Sequence, residues 1–145
     1  MDTNFSIDIL NSSSCDEIGV ELWMDQVKFH EDFVDIGTTT LSTKLEQNLS
    51  THKFKIIVKN KLKEHTVRDA DGNVIEDPFL QVQNILVDDI AIDDLFTKFA
   101  TYTHNFNGAS ENTTHQFFGS LGCNGEVNFE FYTPFYTWLL DNEWV

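Results

Sequence analysis

Cysteine is scarce in this sequence. Cys15 and Cys123 are the only thiols, and neither has a second cysteine nearby to form a zinc or redox motif. Both read as free thiols, with a long-range disulfide between them as the alternative. Met1-Asp2-Thr3-Asn4 carries no basic stretch followed by an apolar one, so the expected place of synthesis is a cytoplasm. Proline and glycine are also sparse, two and seven residues, which excludes collagen-like and low-complexity chains. No apolar run approaches the roughly 18 residues of a membrane-spanning helix. Basic residues are few as well: nine Lys and Arg face 24 Asp and Glu, for a formal charge of −15. Such a field repels phosphate backbones and anionic lipid, which argues against nucleic-acid and membrane partners and favours cationic ones. The plain alternative is that the charge keeps the protein soluble.

Aromatic residues, by contrast, are abundant. Thirteen phenylalanines in 145 residues supply enough apolar bulk for one core, and the expectation is one domain over residues 1–145 that folds without disulfides or metal.

Period-two alternation dominates the chain. Phe5, Ile7 and Ile9 alternate with Ser6 and Asp8, and Ile18, Val20 and Leu22 alternate with Gly19 and Glu21. The stretch from Trp23 to Phe29 either continues that strand or turns back across Asp25-Gln26. Residues 37–45, rich in Thr and Leu, suit an edge strand. The clearest strand is HKFKIIVKNK from His52 to Lys61, with Phe54, Ile56 and Val58 on one face; it gathers four of the nine basic residues. Residues 79–92 read as a long strand whose phase changes near Asn84, as a bulge or bend would produce. Asp93-Asp94 ahead of Leu95, Phe96 and Phe99 predicts one short helix near 93–99. Tyr102 to Thr114 reads as loop, Phe117 to Phe131 as the last strands, and Tyr132 to Leu140 as either a strand or a short helical turn. About eight strands with regular turn signals predict an all-β fold, an antiparallel β-sandwich of jelly-roll type.

Three constellations are candidates for chemistry. The turn Asp69, Asp71, Asn73 and Glu76 lines up oxygen donors that suit Ca²⁺, but its glycine falls at the wrong place for an EF-hand, and a plain hairpin turn is the competing reading. Asp88-Asp89 and Asp93-Asp94 bring like charges together, with solvated turn residues as the simpler account. Tyr102, His104, Asn105 and Asn107 place an aromatic ring beside amides and imidazole, the combination with which a site stacks on a sugar ring and bonds its hydroxyls. His104 and His115 lack a third ligand for zinc. Nucleophile and phosphate-loop motifs are absent, which argues against an enzyme. Lys53, Lys55 and Lys59 form a basic face, and Trp138 and Trp144 near the C-terminus are aromatic; together these are the interface candidates.

From about Lys53 to Leu140 the sequence resembles a group of small β-sandwich proteins met in phages of marine bacteria, some of them likened to carbohydrate-binding modules. The residues that carry the resemblance are FKIIVKNK at 54–61, DADGNVIED at 69–77, VDDIAIDDLF at 87–96, FFGSLGCNG at 117–125 and FYTPFYTWLL at 131–140. The resemblance implies a jelly-roll-like sandwich without enzymatic activity, placed in or on a virion or binding glycan. The leading expectation is therefore a phage structural protein made in the host cytoplasm, a capsid decoration or a tail- or fibre-associated component. It would dock on other virion proteins or self-associate. The alternative is a carbohydrate-binding module for cell-surface glycan, calcium-assisted, acting through the 102–107 loop or the 69–77 turn.

Overall fold

The computed structural model describes residues 3–46, 49–105, 108 and 110–142. In chain order the strands are β1 (Asn4–Asn11), β2 (Gly19–Met24), β3 (Val27–Phe33), β4 (Gly37–Lys44), β5 (Thr51–Lys59), β6 (Val67–Arg68), β7 (Val74–Glu76), β8 (Leu80–Val87), β9 (Ile90–Ala91), β10 (Thr101–His104), β11 (Thr113–Gln116), β12 (Ser120–Leu121) and β13 (Gly125–Tyr132). Two helices, α1 (Asp93–Phe99) and α2 (Phe135–Asp141), and a 3₁₀ turn at Lys63–His65 complete the described elements.

All pairings are antiparallel. One sheet runs β12-β8-β1-β4 with β9 beside β8, the other runs β11-β10-β13-β5-β2-β3, and β6-β7 form a separate ribbon. The chain passes from one large sheet to the other repeatedly, as a jelly-roll sandwich requires. The central strands bury alternate residues: Phe5, Ile7 and Ile9 of β1 face Phe54, Ile56 and Val58 of β5 and Val127, Phe129 and Phe131 of β13 across one core.

Phe96 is the keystone of that core. It projects from α1 between the sheets, with ring centroids 4.8 Å from Phe129, 5.8 Å from Phe117 and 6.0 Å from Phe54. The helix starts where expected. Its Asp93 carboxylate accepts the Asn84 and Ile85 amides, each at 2.9 Å, and so clasps the bulge where Asn84 takes φ of 49°. The turn at Asp25-Gln26 is a two-residue hairpin with both φ values positive, 54° and 70°.

One open reading is settled and one expectation changes. Of the strand and the short helical turn left open for Tyr132 to Leu140, the helix forms: α2 buries Phe135, Trp138 and Leu139, which share a face at helical spacing against Phe129 and Phe131. The stretch from Tyr102 to Thr114, expected as loop, contains most of β10 and the start of β11. Tyr102 and His104 point inward while Thr101 and Thr103 point out, an alternation masked because the inward histidine counts as polar.

Gly125 carries a steric demand. A Cβ there would lie 2.4 Å from the Thr103 carbonyl oxygen and 2.7 Å from the His104 Cβ. Gly125→Ala is expected to destabilise the fold by about 1–3 kcal/mol, as overpacking does. Phe96→Ala should cost about 3–5 kcal/mol. Denaturant unfolding at unchanged m-value checks both.

Candidate functional site

The candidate site follows from a mismatch in strand length. β10 covers β13 only as far as the Thr101–Asn128 pair, whereas β5 pairs with β13 on to Tyr132. At that step a cleft of about 350 Å³ opens, lined by Lys53, Phe54, Phe99, Thr101, Asn128, Phe129 and Glu130. That size lies at the small end of ligand pockets. Phe54 and Phe129 form its buried floor, and Lys53, Thr101, Asn128 and Glu130 are the outward members of their strands. Phe99 closes one side from the last residue of α1, 38% exposed, its ring edge-on to Trp138 at 5.8 Å and 5.3 Å from the Lys98 ammonium.

The polar groups of the cleft are unspent. Lys53 and Glu130 are cross-strand partners, yet among the described residues neither side chain makes an ion pair or a hydrogen bond, nor do the Thr101 hydroxyl and the Asn128 amide. Nearby groups on the same sheet are engaged: Lys55 pairs with Glu126 at 3.1 Å, and Lys59 with Glu21 at 3.1 Å and with Glu31. The Lys28 and Lys59 ammonium groups hold the Glu31 carboxyl down at about 2. An ammonium, a carboxylate, an amide and a hydroxyl around an exposed ring offer donors and acceptors in balance, which suits a neutral polyhydroxylated ligand better than an ion.

Of the sequence candidates for glycan contact, Tyr102 is buried at 4% exposure, and its hydroxyl donates to the Cys123 carbonyl and accepts the Cys123 amide at 3.1 Å. Burial lifts its phenol to about 12. His104 is buried too, its Nε2 2.8 Å from His115 Nε2, and Asn105 caps its own loop by accepting the Gly108 amide at 2.9 Å. Tyr102 and His104 are therefore interior strand residues, a correction that follows from their inward phase in β10; Asn107 lies outside the described residues.

The candidate calcium turn is likewise committed. The Asp69 carboxylate accepts the Asp71 and Asn73 amides, each at 2.9 Å, and the Asn73 side chain at 3.3 Å, while Glu76 reaches across to the Ser14 hydroxyl at 2.7 Å. Asp71 is exposed. Hydrogen bonding from Asn73 holds the Asp69 carboxyl below its usual range, and bonding from Ser14 does the same for Glu76. The turn is a closed Asx turn, and its donors do not converge on a cation. Among the described residues no group of three or more His, Cys, Asp or Glu is placed to hold a metal.

The basic face proposed as an interface is neutralised at Lys55 and Lys59, Trp138 is buried at 4% exposure, and Trp144 lies outside the described residues. Only Lys53 of that set enters the cleft.

No family model matches the chain, and no curated protein does. Two solved structures share its fold. One is vCBM60 in complex with galactobiose, with a TM-score of 0.52 and 13% identity over 87% of this chain and 96% of that chain. The second is the selenomethionine form of vCBM60, presented with circular permutation as a link between two families of calcium-dependent carbohydrate binding modules; its TM-score is 0.50 at 12% identity, over 88% of this chain and 89% of that chain. The sandwich of this chain is thus a carbohydrate-binding-module-like sandwich. This likeness overturns the expectation of a phage structural protein. The virion role was implied by resemblance alone, whereas the fold is shared with a carbohydrate-binding module over 87% of this chain, and neither likeness points to a virus or to virion partners.

One pH effect follows from the histidine pair. His115 Nδ1 lies 2.7 Å from the Gln116 carbonyl, which can only accept, so neutral His115 carries its proton there and its Nε2 accepts the Nε2–H of His104. Burial, and then the neighbouring His115, lower the His104 pKa below 6.5. Unfolding therefore takes up protons: the contribution of His104 is present in full above pH 6.5 and is lost as pH falls from there through the lower folded-state value. The melting temperature is expected to drop on that acid limb, and His104→Gln should flatten it.

Proposed function

We propose that this chain is a non-catalytic carbohydrate-binding module that takes a neutral glycan in the Phe99 cleft. The observation that carries the proposal is the convergence of four unengaged polar groups, on Lys53, Thr101, Asn128 and Glu130, beside an exposed aromatic ring in a preformed cleft. A sugar presents a C–H face for stacking on Phe99 and hydroxyls that both donate and accept, so Glu130 accepts, Lys53 donates, and Asn128 and Thr101 do either. Support comes from the fold, which is shared with a carbohydrate-binding module seen with galactobiose. Glu130 is the only carboxylate among the lining residues, whereas glycoside hydrolysis ordinarily uses two; the cleft holds a sugar without cutting it.

The second likeness is to calcium-dependent modules. In this chain the Asp69 turn is closed on itself, and the cleft relies on hydrogen bonding and stacking in place of a cation.

A glycan array followed by calorimetry with galactobiose and the best array ligand tests the reading. Phe99→Ala and the double variant Asn128→Ala/Glu130→Ala are each expected to weaken binding at least about tenfold, about 1.4 kcal/mol, with unfolding midpoints close to the parent's. Chelation with EDTA should leave affinity unchanged. Absence of binding to every arrayed glycan, or full affinity in Phe99→Ala, would contradict it.

A further inference from the structure

The cleft is one end of a longer row. Thr101 pairs with Asn128, Asn128 with Lys55, and Lys55 with Trp23, so these four side chains stand in register on the outer face of four adjacent strands, β10, β13, β5 and β2. Three inter-strand steps separate Thr101 from Trp23, about 14 Å along the hydrogen-bonding direction. That exceeds a single sugar ring and matches a short oligosaccharide laid across the strands.

Trp23 is partly exposed on the solvent side of a strand whose neighbours Leu22 and Met24 are buried. Its indole is fixed from several sides. Nε1–H donates to Glu21 at 3.0 Å, and the Lys28 ammonium sits 5.7 Å from the ring centroid. Glu21 is held by Lys59 at 3.1 Å, Lys59 also by Glu31, and Glu31 by Lys28 at 2.8 Å. Four charged side chains thus tie an aromatic plane in one orientation at the far end of the row. An aromatic surface immobilised before binding loses little entropy when a ligand stacks on it.

Resting on the reading of the cleft as a sugar site, we infer that the module binds along an extended neutral oligosaccharide, with Phe99 and Trp23 as its two stacking platforms and Lys55 and Asn128 between them. The ligand is the interior of a glycan chain of three or more units, and a disaccharide fills only the Phe99 end. Lys55 and Glu126, both about 40% exposed and paired at 3.1 Å, lie on the path, where sugar hydroxyls can bridge them.

The test is calorimetry against a ladder of neutral galacto-oligosaccharides from two to six units, run beside gluco- and xylo-oligosaccharide ladders. For the parent, affinity should rise about tenfold between two and four units of the preferred ladder and then level off. Trp23→Ala should reduce that rise to less than about twofold, and Trp23→Phe, which keeps a ring, should restore most of it; melting temperatures of both variants report that the sheet is intact. A ladder that is flat in the parent, or a rise that survives Trp23→Ala, overturns the extended site while leaving the Phe99 cleft standing. If no ladder member binds, or if Phe99→Ala binds every length as the parent does, the cleft reading and the extended site fall together.

Discussion

The alternation of β13 is the constraint on which both the core and the cleft depend. Phe129 turns inward onto Phe96, 4.8 Å away, and onto Trp138, 5.8 Å away. Its neighbours Asn128 and Glu130 must then turn outward, because successive strand residues face opposite sides. Trp138 in turn packs edge-on against Phe99. One aromatic cluster thus fixes the floor of the cleft, the phase of its polar residues and the position of its exposed ring. One sheet and both helices meet there, so the cleft is built directly on the core beneath it.

A second constraint is how charge is used. The chain carries −15 overall, yet several of its carboxylates have structural work: Asp69 and Asp93 accept backbone amides, Asp25 binds the buried His52 at 2.7 Å, and Asp77 meets the buried Lys61 at 2.6 Å. Local bonds of this kind close turns and clasp bulges where apolar packing offers nothing. Against that background the unengaged groups of the cleft stand out.

The fold was legible because phenylalanine and isoleucine alternate with polar residues along β1, β5 and β13, and Asp93-Asp94 marked α1. The phase change predicted near Asn84 is a bulge. What stayed hidden had physical reasons. β10 disguises an inward histidine as a polar loop residue, and α2 resists reading because Pro134 and aromatic side chains fit a strand end as well as a helix start. The site was harder. Only Lys53 among its residues drew notice, as part of a basic face; Phe99 looked like helix core, and Asn128 and Glu130 looked like ordinary outward strand positions. Their place in the cleft comes from where β10 leaves β13, a tertiary feature without a local motif. Conversely, Asp69, Asp71 and Asn73 had the composition of a cation site but the geometry of a turn that satisfies itself.

On the proposed reading, sugar is bound where core packing presents Phe99, Asn128 and Glu130, away from the polar loops. Chemical-shift mapping of the isotope-labelled protein during titration with galactobiose tests this most directly. Perturbed resonances are expected to cluster at Lys53, Phe99, Thr101, Asn128 and Glu130. Perturbations centred on Asp69–Glu76 or on the loop between β10 and β11, with the cleft unmoved, would contradict it.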